Sequence, residues 1–149
     1  MDYCNSLLHG AKQCHISRLQ RLQNNAARIV SRRRKFDHIS PVLKDLHWLP
    51  VEKRIQFKIL LFTYKSLNGH APEYISNMLS PYVPSRPLRS EDKLLLITPR
   101  WRLKNFGKRS FVVAAPMLWN SLPLELKLSP SIESFKRGLK THLFVDAYH

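Results

Sequence analysis

The chain has 149 residues, the length of one folded domain, and 44% of them are hydrophobic, which argues against global disorder. Lysine and arginine number 25 against 10 acidic residues, and the net charge of +15 favours a polyanion such as nucleic acid as partner. A basic surface that only keeps the protein in solution is the plainer alternative. There are two cysteines and no uninterrupted apolar run of about 18 residues, so we expect free thiols, no membrane contact and an intracellular location, nuclear or cytoplasmic.

The first strong pattern predicts an amphipathic helix from Ile16 to Arg32. Its apolar residues are expected on one, buried side: Ile16, Leu19, Leu22, Ala26, Ile29 and Val30. Its cations gather on the other side and continue past the last turn: Arg18, Arg21, Arg28, Arg32, Arg33, Arg34 and Lys35. We interpret this basic face as a phosphate-binding surface, and a merely solvated face is the alternative.

A central helix is predicted at about 51–68. Pro50 can open it, because the first helical position needs no N–H, and Asn68-Gly69 can close it. One apolar stripe consists of Val51, Ile55, Ile59 and Phe62, and a second of Phe57, Leu60, Tyr64 and Leu67. A helix with two apolar faces must be covered on both, so we expect the rest of the chain to pack around it.

The second half of the chain is less regular. We predict a proline-rich connector at 80–93, a short β-hairpin at about 94–106 and a C-terminal docking helix at about 131–144. The hairpin and the turn after it carry the cations Arg100, Arg102, Lys104, Lys108 and Arg109. Such a ribbon suits single-stranded nucleic acid if its aromatic residues face outward; alternatively, Trp101 and Phe106 face the core. The expected fold is one mainly α-helical domain, 1–149, with a helical part at 1–79 and a hairpin with helices at 94–149.

Motifs for catalysis and metal binding are missing from the sequence. It has no phosphate-cradling glycine loop, no nucleophile turn and no cluster of carboxylates, so we predict that the chain is not an enzyme. Cys4, His9, Cys14 and His15 lie close together, but their spacing does not fit a structural zinc site. We therefore predict neither a metal nor a cofactor.

Four phrases carry a family resemblance: residues 1–10 (MDYCNSLLHG), 19–28 (LQRLQNNAAR), 47–51 (HWLPV) and 114–123 (AAPMLWNSLP). In this order they resemble the C-terminal region of LINE-type (non-LTR, jockey-like) retrotransposon reverse transcriptases. The resemblance implies a truncated copy that starts downstream of the polymerase core and lacks the family's endonuclease and polymerase residues. It also implies a parent protein that binds the element's RNA and nicked target DNA. Some members of the family end in a Cys/His-rich zinc knuckle, and the spacing of the cysteines and histidines in this chain does not match that motif.

Two functions of different classes follow. The first is a non-catalytic module that binds RNA or DNA through the cations named above. The second is a structural domain that braces the polymerase part of the parent protein and makes no nucleic-acid contact of its own. A third possibility, an independent nuclease, rests on basicity alone.

Overall fold

The computed structural model describes residues 4–84, 93–101 and 107–148. Seven α-helices follow one another in these ranges: α1 (Gln13–Ser31), α2 (Ile39–Asp45), α3 (Val51–Leu67), α4 (Glu73–Ser76), α5 (Phe111–Asn120), α6 (Leu124–Lys127) and α7 (Ile132–Tyr148). Short 3-10 helices lie at Asn5–Leu8 and Gly107–Arg109. The prediction of a mainly helical fold is confirmed.

The chain divides into two compact units. One consists of Met1–Phe57 with Lys140–His149, and the other is Lys58–Leu139. Both boundaries fall inside a long helix, α3 or α7. The predicted organisation as a single domain, with a connector at 80–93, stays a prediction.

In the first unit, α1 packs against α2 through a small residue. Ala27 is completely buried beside Val42 and Leu43, and its short side chain allows the two helices to approach closely. The half-buried side chains around this cluster are Ile39, Leu46, Trp48 and Tyr148. The core of this unit therefore includes residues from α1, α2, the turn before α3 and the end of α7.

The prediction of which side of α1 is buried is wrong for most of the helix. Ile16 is buried as expected, but Leu22, Ile29 and Val30 are 57%, 78% and 60% exposed. The buried face lies about a quarter turn away and includes Gln23 and Ala27. A glutamine can occupy this face because its carboxamide nitrogen donates to a backbone carbonyl. The face that contains Gln23 is therefore buried, and the apolar stripe of Leu22, Ile29 and Val30 is exposed to solvent.

The partners of this polar face are in the turn that leads into α3. Gln23 Nε2 donates to the Leu49 carbonyl at 2.8 Å, and the Val51 N–H donates to Gln20 Oε1 at 2.9 Å. The Tyr148 hydroxyl donates to the Trp48 carbonyl at 2.6 Å. These bonds from α1 and α7 fix the HWLPV phrase. The Val51 N–H is one of the first-turn donors that α3 itself leaves unpaired, and the Trp48 and Leu49 carbonyls belong to the turn before the helix.

In the second unit, three aromatic rings form the centre of the core. Phe135 on α7 is completely buried and stacks on Tyr64 of α3, with ring centroids 4.2 Å apart and an interplanar angle of 14°. Trp119 of α5 lies 6.1 Å from the same phenylalanine ring. The Tyr64 hydroxyl donates to the Ser129 carbonyl at 2.6 Å, so the tyrosine is buried with its polar atom satisfied.

The predicted central helix (α3) and C-terminal helix (α7) are confirmed, with small shifts of their ends. α3 ends at Leu67, as Asn68-Gly69 indicated, and Gly69 has a φ of +70°. The C-terminal helix begins after Ser131, whose hydroxyl accepts from the Ser134 N–H at 3.2 Å, and it runs to Tyr148, one turn beyond the prediction. Its buried residues Phe135, Leu139 and Leu143 lie on one face, as the sequence indicated.

The predicted hairpin at 94–106 is not supported, and no strand occurs in the described ranges. Leu96 instead forms an isolated antiparallel bridge with Pro81, flanked by hydrogen bonds from Ile97 to Ser80 and from Tyr82 to Leu95. The N–H and C=O of Leu96 both bond to the carboxamide of Asn120, at 2.9 Å each. Because these backbone groups are already satisfied, the segment does not need a neighbouring strand. Residues 102–106, the greater part of the second predicted strand, lie outside the described residues.

Candidate nucleic-acid interface

Helix α1 presents its arginines along one side. Arg18, Arg21 and Arg32 are exposed, and Arg28 is half-buried. Their spacing of three, seven and four residues keeps them on one face of a helix with 3.6 residues per turn. We call these four side chains the arginine face. It lies next to the exposed apolar stripe of Leu22, Ile29 and Val30 on the same helix.

The chain after α1 folds into an ordered loop, Arg32–Asp37, which we call the basic loop. Arg32 ends the helix in the left-handed conformation, with φ +52°, and the Arg33 N–H then bonds to the Arg28 carbonyl at 3.0 Å. Asp37 closes the far end: its carboxylate accepts from the Arg34 N–H at 2.9 Å, and its own N–H donates to the Arg34 carbonyl at 3.2 Å. The basic loop is thus held by its own backbone and by Asp37.

The arginine face and the basic loop meet at an open depression of about 450 Å³. Six residues line it: Asn25, Arg28, Ile29, Arg32, Arg33 and Lys35. Four of these are cations of the predicted phosphate-binding set. The Nε of Arg28 is buried and has no hydrogen-bond partner among the described residues, while its Nη2 donates to the Asp37 carbonyl at 3.4 Å. An anion in this depression would meet four positive charges on one wall of the unit.

Sequence reasoning missed one feature of this surface, the ring of Phe36. It lies in the basic loop and is 90% exposed. The ammonium group of Lys35 lies 5.7 Å from its centroid, within range of a cation–π contact. The signal was present in the sequence as a lone aromatic residue within Arg-Arg-Arg-Lys-Phe-Asp, but periodicity assigns aromatic residues to a core by default.

The other predicted cations belong to the second compact unit. Arg100 and Arg109 are exposed there. Arg102 and Lys104 lie outside the described residues, as does the side chain of Lys108. The structure therefore brings four of the first unit's predicted cations to one depression, Arg28, Arg32, Arg33 and Lys35, and describes only two side chains of the second set.

Within residues 4–84, 93–101 and 107–148, no group of three or more His, Cys, Asp or Glu side chains could hold a metal ion. Cys4 and Cys14 are exposed free thiols. No helix in the described part of the chain is long and apolar enough to cross a membrane. Comparisons with protein-family models, curated proteins and solved structures find no match for the chain.

Proposed function

We propose that this chain is a non-catalytic nucleic-acid-binding module that grips phosphates through the arginine face and the basic loop. The observation that carries the proposal is the depression where Arg28, Arg32, Arg33 and Lys35 converge. The exposed Arg100 and Arg109 of the second unit are proposed as further phosphate contacts, together with Arg102, Lys104 and Lys108. The proposed origin is the C-terminal region of a LINE-type reverse transcriptase, which the sequence resembles.

The length of the arginine face favours a polyanion over a single small anion. From Arg18 to Arg32 the helix advances by about 21 Å at 1.5 Å per residue. One strand of duplex DNA advances by about 3.4 Å per nucleotide along the helix axis, so the face spans the axial length of roughly six nucleotides. A small ligand would occupy only the depression at one end. A row of cations of this length, on a chain with a net charge of +15, suits an extended phosphate backbone.

The test compares two variants with equal loss of charge. The interface variant replaces Arg18, Arg21, Arg32 and Arg33 by glutamine and spares Arg28, because that side chain also bonds within the unit. The control variant replaces Lys65, Lys93, Lys136 and Lys140 by glutamine. Binding of a labelled single-stranded oligonucleotide is measured by fluorescence anisotropy, with circular dichroism to confirm equal helicity.

We expect the interface variant to bind more weakly by about 10²- to 10³-fold at 0.1 M salt. The reason is that each contact with a single strand contributes about 0.7 decade through counterion release under these conditions. The control variant should stay within about threefold of the wild type. Equal losses in the two variants would mean that net charge, rather than the placement of the cations, governs binding, and the proposal would fail.

A second function is favoured by a separate observation, the exposed stripe of Leu22, Ile29 and Val30. An apolar stripe on a helix is a typical protein-docking surface, as a domain bracing a polymerase would need. Replacing all three residues by glutamine separates the two functions. If the wild type self-associates in light scattering and the triple variant does not, while both bind the oligonucleotide no better than an unrelated protein of equal charge, the bracing function is favoured. Unchanged oligomeric state with intact oligonucleotide binding favours the first proposal.

A further inference from the structure

The exposed ring of Phe36 has no role in the core of the first unit. At 90% exposure it buries almost none of its apolar surface, although a phenylalanine normally contributes to stability by burial. The neighbouring residues in the chain, Arg34, Lys35 and Asp37, are all polar. What distinguishes this ring from the other exposed apolar side chains is its place in the basic loop, between cations, where a ligand with a flat face could cover it.

The backbone holds this ring out in a defined place. Asp37 closes the turn on both sides of Phe36 by its two hydrogen bonds with Arg34. Arg28 Nη2 ties the same turn back to α1 through the Asp37 carbonyl. The ring is therefore presented by an ordered turn, and a ligand that covers it needs to order little additional backbone.

The groups around the ring narrow the chemistry of that ligand. The depression lined by Arg28, Arg32, Arg33 and Lys35 can take an anionic group, and the ring offers a flat π-face in the same loop. A nucleotide with an unpaired base has a group for each: a phosphate for the cations of the depression and a flat aromatic face for the ring of Phe36. In a duplex the faces of the bases are stacked on one another, so the phosphates and the base edges in the grooves are available but no base face is free to stack on a ring.

We infer that Phe36 is a stacking platform for an unpaired base, so that the basic loop prefers single-stranded RNA or DNA to duplex. The inference rests on the proposed function of the same surface and names the form of the nucleic acid. Base stacking on a protein ring contributes about five- to 150-fold in affinity, judged by its loss on substitution with alanine. A loss of this size is the quantity to measure.

The experiment uses three probes of equal length: a single-stranded oligothymidine, a DNA duplex and an abasic strand that keeps the sugar-phosphate backbone. Affinities at one salt concentration are measured for the wild type, Phe36→Ala, Phe36→Leu and Phe36→Tyr. Leucine keeps an apolar side chain of similar size but has no ring, and tyrosine keeps the ring. All four proteins should fold alike, because the residue is exposed.

The wild type should bind the oligothymidine more tightly than the duplex or the abasic strand. Phe36→Ala and Phe36→Leu should lose about five- to 150-fold on the oligothymidine and less than about twofold on the other probes, and Phe36→Tyr should bind like the wild type. Wild-type affinity of Phe36→Leu for the oligothymidine, or equal losses on the abasic strand, would overturn the inference. If the wild type binds none of the three probes, the proposed function itself fails.

A lipid surface is the competing ligand class, because an aromatic ring beside cations can also enter the interface of an anionic membrane. Vesicles of phosphatidylserine and phosphatidylcholine provide the additional measurement. If Phe36→Ala loses vesicle binding while its affinity for the oligothymidine is unchanged, the ring serves a membrane contact and the inference is wrong. Loss on the oligothymidine with unchanged vesicle binding supports base stacking.

Discussion

Asn120 joins the segment around Leu96 to helix α5, and its removal tests how the second unit is held together. Its Oδ1 accepts from the Leu96 N–H and its Nδ2 donates to the Leu96 C=O, both at 2.9 Å. Leu96 is only 4% exposed, so water cannot readily replace these bonds. Trp119 adds a bond from Nε1 to the Leu94 carbonyl at 2.9 Å. The WN pair of the AAPMLWNSLP phrase thus anchors the segment from two adjacent positions.

Asn120→Ala leaves two buried backbone groups without partners. Each such group costs about 1–3 kcal/mol, and with some local relaxation we expect the free energy of unfolding to fall by about 2–4 kcal/mol. Urea denaturation followed by tryptophan fluorescence measures this, and hydrogen exchange of the Leu96 amide reports the local bond. Asn77→Ala, at an exposed asparagine, is the matched control and should change stability by less than about 0.5 kcal/mol.

A loss below about 1 kcal/mol for Asn120→Ala, with unchanged protection of the Leu96 amide, would refute this account of the segment. Asn120→Asp gives an independent check. It keeps an acceptor for the Leu96 N–H but sets a carboxylate against the C=O, so it should destabilise the protein while it preserves part of the amide protection.

Two further predictions concern the aromatic core of the second unit and an ion pair of the first unit. Phe135→Ala should lower the free energy of unfolding by about 3–5 kcal/mol, because it removes a completely buried ring that stacks on Tyr64 and lies beside Trp119; a loss below about 2 kcal/mol in urea denaturation would contradict this. The hydrogen bond from Lys53, and then its charge, hold the pKa of Asp146 below its usual value. A depressed folded-state pKa contributes stability above the usual carboxylate pKa of about 3.9, and this is lost as the pH falls through the lower folded value. Asp146→Asn should therefore be less stable than the wild type at neutral pH, by at most about 1 kcal/mol for an exposed pair, and this difference should vanish in acid; a difference that is constant with pH in thermal denaturation would be inconsistent.

The long helices were predictable because their signals are local. Pro50 and Asn68-Gly69 mark the ends of α3, and Ser131 marks the start of α7. Capping residues and apolar periodicity act within a few turns of chain, so sequence alone carries them. The positions of the buried aromatic residues on these two helices follow from the same patterns.

The exposed stripe of α1 and the backbone pairing of the described residues 94–97 depend on distant partners. Gln23 is buried because its carboxamide donates to a carbonyl 26 residues away. The N–H and C=O of Leu96 pair with the carboxamide of Asn120, 24 residues away, instead of with a second backbone segment. Hydrophobic periodicity predicts that a glutamine is exposed, and it predicts a strand for a short apolar run. A side chain that replaces backbone pairing leaves no periodic signal in the sequence.

The positive charge of the candidate site could be predicted from the sequence, but the depression that its cations form could not. The cations of α1 and of the run after it follow from composition and helical spacing. Their convergence on one depression depends on the left-handed Arg32 and on the turn closed by Asp37, which are features of loop geometry. The exposure of Phe36 has the same origin: the sequence shows a lone aromatic residue among cations, and the folded turn shows that its ring is in solvent.

The salt dependence of binding tests the central claim most directly. For the wild type on a single-stranded oligonucleotide, the logarithm of the association constant should fall linearly with the logarithm of salt concentration. The slope should be about −4 if six exposed cations of the arginine face and basic loop each neutralise one phosphate. Replacement of Arg32, Arg33, Arg34 and Lys35 by glutamine should make the slope shallower by about 3. A flat response in the wild type, or a slope that this replacement leaves unchanged, would contradict the claim that these side chains bind phosphates.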